Sequence, residues 1–187
     1  KLALTNSDKA NYYTTPDGKC DSSLPLLHSA VKFLSEQNLT YLLWLGDASP
    51  HNVYAQSDEG NLNDIKTIAK IFKKYLNNTI ILPIIGNHDM CPVNEFEGKR
   101  NLLIESVKPF RNYLTPDAIN SFIFGGFYQI QLEKNLYLVA LNTNYYVNEN
   151  IYQTIAYKSD WLAQLSWLNN TIFKIVNLNN DNKIIIL

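Results

Sequence analysis

The sequence predicts an α/β domain, and three observations carry that prediction. Two short apolar runs, Tyr41 to Leu45 and Ile80 to Ile85, read as strands buried on both faces. Between them Ile65, Ile68, Phe72 and Tyr75 keep helical period, with Lys66, Lys70, Lys73 and Lys74 on the other side. Strand, helix and strand within about 45 residues mark a βαβ unit, whose two strands run parallel with their carboxyl ends together.

In chain order, Asp21-Ser22-Ser23 offers caps before Pro25, and Leu24, Leu27, Val31 and Leu34 recur at helical spacing, which predicts a helix near 24–36. A polar loop is expected over 48–63 and the amphipathic helix over 64–76. Pro83 is awkward inside the second strand, because proline cannot donate to the ladder. Leu102, Ile104, Val107 and Phe110 predict a further helix, closed by Pro116. Segments 126–132 and 136–142 flank Glu133-Lys134-Asn135 as an antiparallel hairpin. Ser159 is the expected cap of a last helix in which Trp161, Leu165, Leu168, Ile172 and Ile175 share one face. His28 falls mid-helix and is expected at the surface, Trp161 and Trp167 are read as core or interface filler, and 183–187 is expected as a buried strand.

Composition excludes several classes. The 187 residues suit a single domain, and 46% hydrophobic against 18% charged residues is globular usage. A net charge of -1 with no basic run argues against binding a nucleic-acid duplex, and no apolar run approaches the roughly 20 residues of a membrane span. The chain opens on Lys1 without a signal-peptide pattern and stops on Ile184-Ile185-Ile186-Leu187, so it reads as incomplete at both ends. Cys20 and Cys91 lack zinc-site spacing; they could pair with each other, stay as thiols or pair elsewhere. Asn38, Asn77 and Asn169 open three glycosylation sequons, a number that chance supplies in so Asn-rich a chain.

The chemistry is concentrated where the two strands end. Gly46-Asp47 follows the first and Gly86-Asn87-His88-Asp89 the second. Ligands of open α/β sheets bind beyond the carboxyl ends of the strands, and a carboxylate, a carboxamide oxygen and an imidazole there suit a divalent cation.

Through those two motifs the chain resembles the calcineurin-like metallophosphoesterases, whose fold is a layered α/β/β/α sandwich with βαβ units. Within them it is most similar to the acid sphingomyelinase-like phosphodiesterases. The matching strings are Lys19-Cys20-Asp21, Trp44-Leu45-Gly46-Asp47, Pro50-His51, Gly86 to Asp89 with Pro92, Gly125-Gly126-Phe127-Tyr128, Leu141-Asn142-Thr143-Asn144 and Gln164 to Leu168. The resemblance implies that residues 1–187 are one partial catalytic domain. It implies two divalent cations, zinc foremost, with Asp47 bridging both and Asn87 binding one. It also implies that His88 contacts the substrate phosphate and that His51 is a second active-site histidine. The substrate would be a small-molecule or lipid-headgroup phosphodiester, and the protein secreted or lysosomal.

Two cations would stabilise the attacking and leaving oxygens of an in-line displacement, and His88 or His51 would protonate the departing alkoxide. Asp89 is expected to orient the His88 ring by accepting its second N–H. Tyr145 and Tyr146 are read either as walls of the cleft or as exposed loop tyrosines. The family's Asp-x-His, later His and His-x-His are missing, since the chain's histidines are His28, His51 and His88. A protein phosphatase is disfavoured because Ala48-Ser49-Pro50-His51 lacks the Arg that follows Gly-Asp in that class. The alternative to an enzyme is a catalytically inactive binding domain of the same fold.

Overall fold

The computed structural model describes residues 20–97, 100–156 and 158–187; Lys19 of the Lys19-Cys20-Asp21 string lies outside them. Its helices are α1 (Leu24–Ser35), α2 (Asp58–Tyr75), α3 (Arg100–Val107), α4 (Pro116–Gly125), α5 (Ile151–Ala156) and α6 (Gln164–Leu178). Its strands are β1 (Tyr41–Trp44), β2 (Ile80–Pro83), β3 (Tyr128–Glu133), β4 (Leu136–Ala140) and β5 (Lys183–Ile186).

The predicted βαβ unit forms. β1 and β2 are parallel, in register from Tyr41 opposite Ile80 to Trp44 opposite Pro83. Pro83 is tolerated because it ends the strand, and the next N–H, of Ile84, donates to the Trp44 carbonyl at 2.8 Å. Alternation along β1 and β2 feeds two cores. Leu42, Trp44 and Ile81 pack with Val31 of α1 and Ile65, Ile68 and Phe72 of α2. Tyr41, Leu43 and Leu82 pack on the other side with Tyr128, Ile130, Leu138 and Ala140 of the second sheet. The result is a helix layer, a sheet and a second sheet. β3 and β4 form that sheet's expected antiparallel hairpin, and β5 adds to β4 in parallel. The hairpin loop is tighter than expected, since Glu133 pairs with Leu136.

Other departures have local causes. α2 begins at Asp58 rather than 64, because the Ser57 hydroxyl caps it by accepting from Gly60 N at 3.1 Å. Asp58 and Glu59 complement the dipole at that end, as Lys73 and Lys74 do at the other. Hydrophobic period could not mark these first two turns, since their buried positions include the polar Asn61 and Asp64. Pro116 opens a helix instead of closing one: Thr115 Oγ1 accepts from Ala118 N at 3.2 Å, and proline suits the first turn. The short α5 has no counterpart in the expectations.

At α6 the cap is Asp160 rather than Ser159, its carboxylate accepting from Leu165 N at 2.7 Å and Ser166 N at 3.0 Å. The buried face runs through Gln164, Thr171 and Ile175, while Leu165 is 45% exposed. β5 is an exposed edge rather than a buried strand, with Ile186 49% exposed. His28 is half-buried, its ring edge-on to Tyr75, instead of at the surface.

The reassigned face of α6 is checked by substitution. Ile175→Ala should lower unfolding free energy by about 2–5 kcal/mol. Leu165→Ala should change it by about 0.5 kcal/mol or less, both read from urea denaturation.

Candidate active site

The two loops beyond β1 and β2 are in direct contact. A Cβ added at Gly46 would lie 2.2 Å from the Gly86 nitrogen, and one added at Gly86 would lie 2.2 Å from Asp47 Oδ1. Gly46 also has φ +80°, which only glycine adopts without strain. Asp47 follows at φ +59°, a left-handed conformation that aspartate tolerates better than most residues. This reversal aims its exposed side chain across the second loop, where Oδ1 accepts from His88 N at 3.1 Å.

Asp89 does not orient the His88 ring as expected. Its fully buried carboxylate accepts three backbone N–H groups, from Gly86 at 2.8 Å, Ala48 at 2.8 Å and Asp47 at 3.1 Å. Burial pushes this carboxyl up to about 6 against the pull of those donors, and the nearby Asp47 charge adds to the rise. The cause of the correction is competition: three fixed amides reach the carboxylate and leave His88 Nδ1 buried without a hydrogen-bond partner.

Asn87 is held by its amino group, which donates to Asn94 Oδ1 at 2.8 Å, while Asn94 N donates back to the Asn87 carbonyl at 3.2 Å. Among the described residues no hydrogen bond reaches the Asn87 side-chain oxygen. His51 stands beside His88, ring centroids 4.3 Å apart with the planes inclined at 54°. Its Nδ1 meets Asp21 Oδ1 at 2.6 Å, and its backbone N donates to Asp21 Oδ2 at 2.9 Å. Burial raises the Asp21 carboxyl, but the His51 hydrogen bonds and the charges of His51 and His88 outweigh it and hold it below the usual value. Asp47, His51 and His88 line one cleft of ≈ 380 Å³ with Asp21 and Ser49, and its lining also includes the apolar Leu27, Trp44 and Phe72.

The sequence-predicted residues Asp47, His51 and His88 are therefore brought together, with Asn87 adjacent in the loop that carries His88. Asp21 was missed as a site residue because it reads as a helix-cap candidate; its place in the Lys-Cys-Asp string was the available signal. Asn94 carries none. Tyr145 is neither cleft wall nor exposed: it is fully buried, edge-on to Phe96 and stacked on Trp161. Tyr146 is half-buried beside it. Cys20 and Cys91 are not bonded to each other.

A carboxylate and an open carboxamide oxygen are donors suited to a hard or borderline divalent cation, so Asp47 and Asn87 fit one. Among the described residues no grouping of three or more His, Cys, Asp or Glu side chains surrounds such a point.

A second sheet supports the site from behind. Asn144 Nδ2 donates to the Ile85 carbonyl at 3.0 Å, immediately before Gly86, and to Asn142 Oδ1 at 2.9 Å. Asn142 is locked to Gln164 by a reciprocal pair of 2.8 and 3.1 Å, and Asn150 Nδ2 holds the Phe96 carbonyl at 2.8 Å.

The fold is that of an α/β protein whose candidate site lies at the carboxyl ends of two parallel strands. No protein-family model matches the chain. Individual relatives do. It is 33% identical over 158 residues to the sphingomyelinase phosphodiesterase C of Dictyostelium discoideum, covering 82% of this chain and 35% of that protein. It is 31% identical over 173 residues to the cyclic GMP-AMP phosphodiesterase SMPDL3A of Bos taurus, covering 89% and 37%. To the sphingomyelin phosphodiesterase of Homo sapiens it is 30% identical over 159 residues, covering 80% and 25%. Over most of its length the chain is thus a relative of the acid sphingomyelinase-like phosphodiesterases. It spans between 25% and 39% of the length of the curated relatives it matches.

Two outcomes check this geometry. Asp89→Ala strips the shared acceptor from three N–H groups and should cost about 3 kcal/mol or more of unfolding free energy, since each stranded donor costs roughly 1–3 kcal/mol. The Asp21 carboxyl, followed by carbon NMR, should titrate below ordinary aspartate and move back toward it in His51→Ala. A lowered folded-state value means the contact stabilises the fold above the unfolded aspartate value and that this is lost as pH falls through the lowered one.

Proposed function

We propose that the whole protein is a metal-dependent phosphodiesterase, with Asp47 and Asn87 among the ligands of two divalent cations, zinc foremost. The observation that supports the reading is the contact of the two glycine-ended loops, which sets the Asp47 carboxylate in one cleft with the His51–His88 pair, with Asn87 next to His88 in the second loop. Sequence kinship to sphingomyelin and cyclic GMP-AMP phosphodiesterases supports the reaction class. When bound, such cations would supply positive charge to the phosphoryl oxygens and acidify water. The chain's own part is then to hold the donors, through the Gly46–Gly86 contact and Asn94, and to present imidazole N–H groups to the phosphodiester. The substrate class is a phosphodiester carried by a lipid headgroup or a small molecule; no described helix is long and apolar enough to cross a membrane. We assign the protein to the secretory route, secreted or lysosomal, a reading supported by the exposure of all three sequon asparagines, Asn38, Asn77 and Asn169.

Because the described residues bring two oxygen donors, residues 1–187 alone should not turn over. The whole protein loaded with zinc should hydrolyse bis(p-nitrophenyl) phosphate. Asp47→Asn and Asn87→Ala should each lower kcat/KM on the order of 100-fold or more, since even outer partners of metal ligands are worth 10- to 100-fold. Both should also lower zinc content measured by elemental analysis. Undiminished turnover and zinc in Asp47→Asn would remove the assignment, and zinc binding with no hydrolysis of any phosphodiester would favour the binding-domain reading.

A further inference from the structure

The second loop is gripped from two sides. The Asp89 carboxylate ties it to the first loop, while the carbonyls on either side of Asp89 are held by α2. There the Asn61 amino group donates to the His88 carbonyl at 3.1 Å and to the Met90 carbonyl at 3.0 Å. An amide nitrogen carries two hydrogens, so both are spent on this loop. Asn61 is 2% exposed and Met90 is fully buried, so the Met90 carbonyl has no solvent to replace this donor. The same helix is joined to the segment that carries His51. Val53 N donates to the His51 carbonyl at 2.8 Å and Gln56 Nε2 to the Pro50 carbonyl at 3.1 Å, which folds residues 50–56 into a compact turn. Ser57 then caps α2, and Asn61 N donates to the Ser57 carbonyl at 2.9 Å. The His51 segment is therefore built into the start of α2, and the His88 loop is held by a side chain one turn in.

We propose that Asn61 is a positioning residue that sets the spacing of His51 and His88, whose ring centroids lie 4.3 Å apart in the cleft. Its consequence for turnover rests on the phosphodiesterase reading above; the spacing itself does not. Asn61 does not line the cleft and acts through two backbone carbonyls of the second loop. Asparagine suits the place for a chemical reason. Both acceptors are carbonyls, so the group between them has to donate twice, which a carboxylate of the same size cannot do. Asp89 does not duplicate the contact, because its carboxylate accepts N–H groups whereas these carbonyls need donors.

Replacing the donor without changing its size separates this role from a merely structural one. Asn61→Asp keeps the volume and removes at least one of the two donated hydrogens, and Asn61→Leu fills similar space with no polar atom. Either variant alone decides the test where the other does not fold. Ile175→Ala, on α6 and outside the cleft lining, serves as the control for lost stability. In the whole zinc-loaded protein, under conditions where each variant is folded, both Asn61 variants should lower kcat/KM on bis(p-nitrophenyl) phosphate by about 10-fold or more, as outer partners of site residues do. Ile175→Ala should leave it unchanged. In the metal-free whole protein with isotope-labelled histidine, the nuclear Overhauser contact between the His51 and His88 rings should be present in the parent and in Ile175→Ala. It should be lost in the Asn61 variants. Amide exchange of Asp47, Ala48 and Gly86, whose N–H groups Asp89 accepts, should quicken in those variants while β1 and β2 keep their protection. A ring contact and loop exchange unchanged in the Asn61 variants would overturn the proposal, as would an equal loss of turnover in Ile175→Ala. If the parent cleaves no phosphodiester, that reading falls, and the ring contact still decides whether Asn61 sets the spacing.

Discussion

The site depends on a close approach of two backbones. The loops after β1 and β2 meet at Gly46 and Gly86, where a single methyl on either would sit 2.2 Å from the other loop. Side chains cannot mediate a contact this tight, so the adhesive is polar: the buried Asp89 carboxylate collects amides from both loops. One carboxylate thereby converts two separate strand ends into a single rim. Its elevated titration expresses the desolvation that this arrangement imposes.

Behind that rim lies a second layer of support made of carboxamides. Asn144 reaches from beyond β4 to the Ile85 carbonyl, and Asn142, Asn150 and Gln164 complete a buried set of mutually satisfied groups. Neutral amides bring both donors and acceptors, so they cross-link backbone without placing further charge near Asp47 and Asp89. The apolar frame under them is shared between the two sheets, with Leu82, Tyr128, Leu138 and Tyr145 all fully enclosed. Tyr145 therefore works as packing, although its tyrosine pair invites a reading as a cleft wall.

The elements that could be read from the chain are those with a strong one-dimensional signal. The apolar runs of β1 and β2, the period of α2 and the hairpin of β3 and β4 all stand, because burial of one face imposes the pattern directly. The elements misread are those in which a polar group does the work: the Ser57 start of α2, the Thr115-Pro116 start of α4 and the Asp160 cap of α6. Within the candidate site, the meeting of the Asp47 and His88 loops was legible from motifs at strand ends, and His51 from the resemblance. Asp21 was not, because it lies 30 residues from His51 and nothing in that separation announces a contact.

By itself the sequence determined the α/β class, the parallel pairing of β1 and β2, and the residue types gathered at their carboxyl ends. Those follow from local period, from glycine at points of backbone reversal and from the topology of a βαβ crossover. Tertiary structure alone decided which partner each polar group takes: Asp89 with three amides instead of an imidazole, Asn87 with Asn94, His51 with Asp21. Such choices turn on distances of a few tenths of an ångström between segments remote in sequence, and no pattern along one strand or helix encodes them.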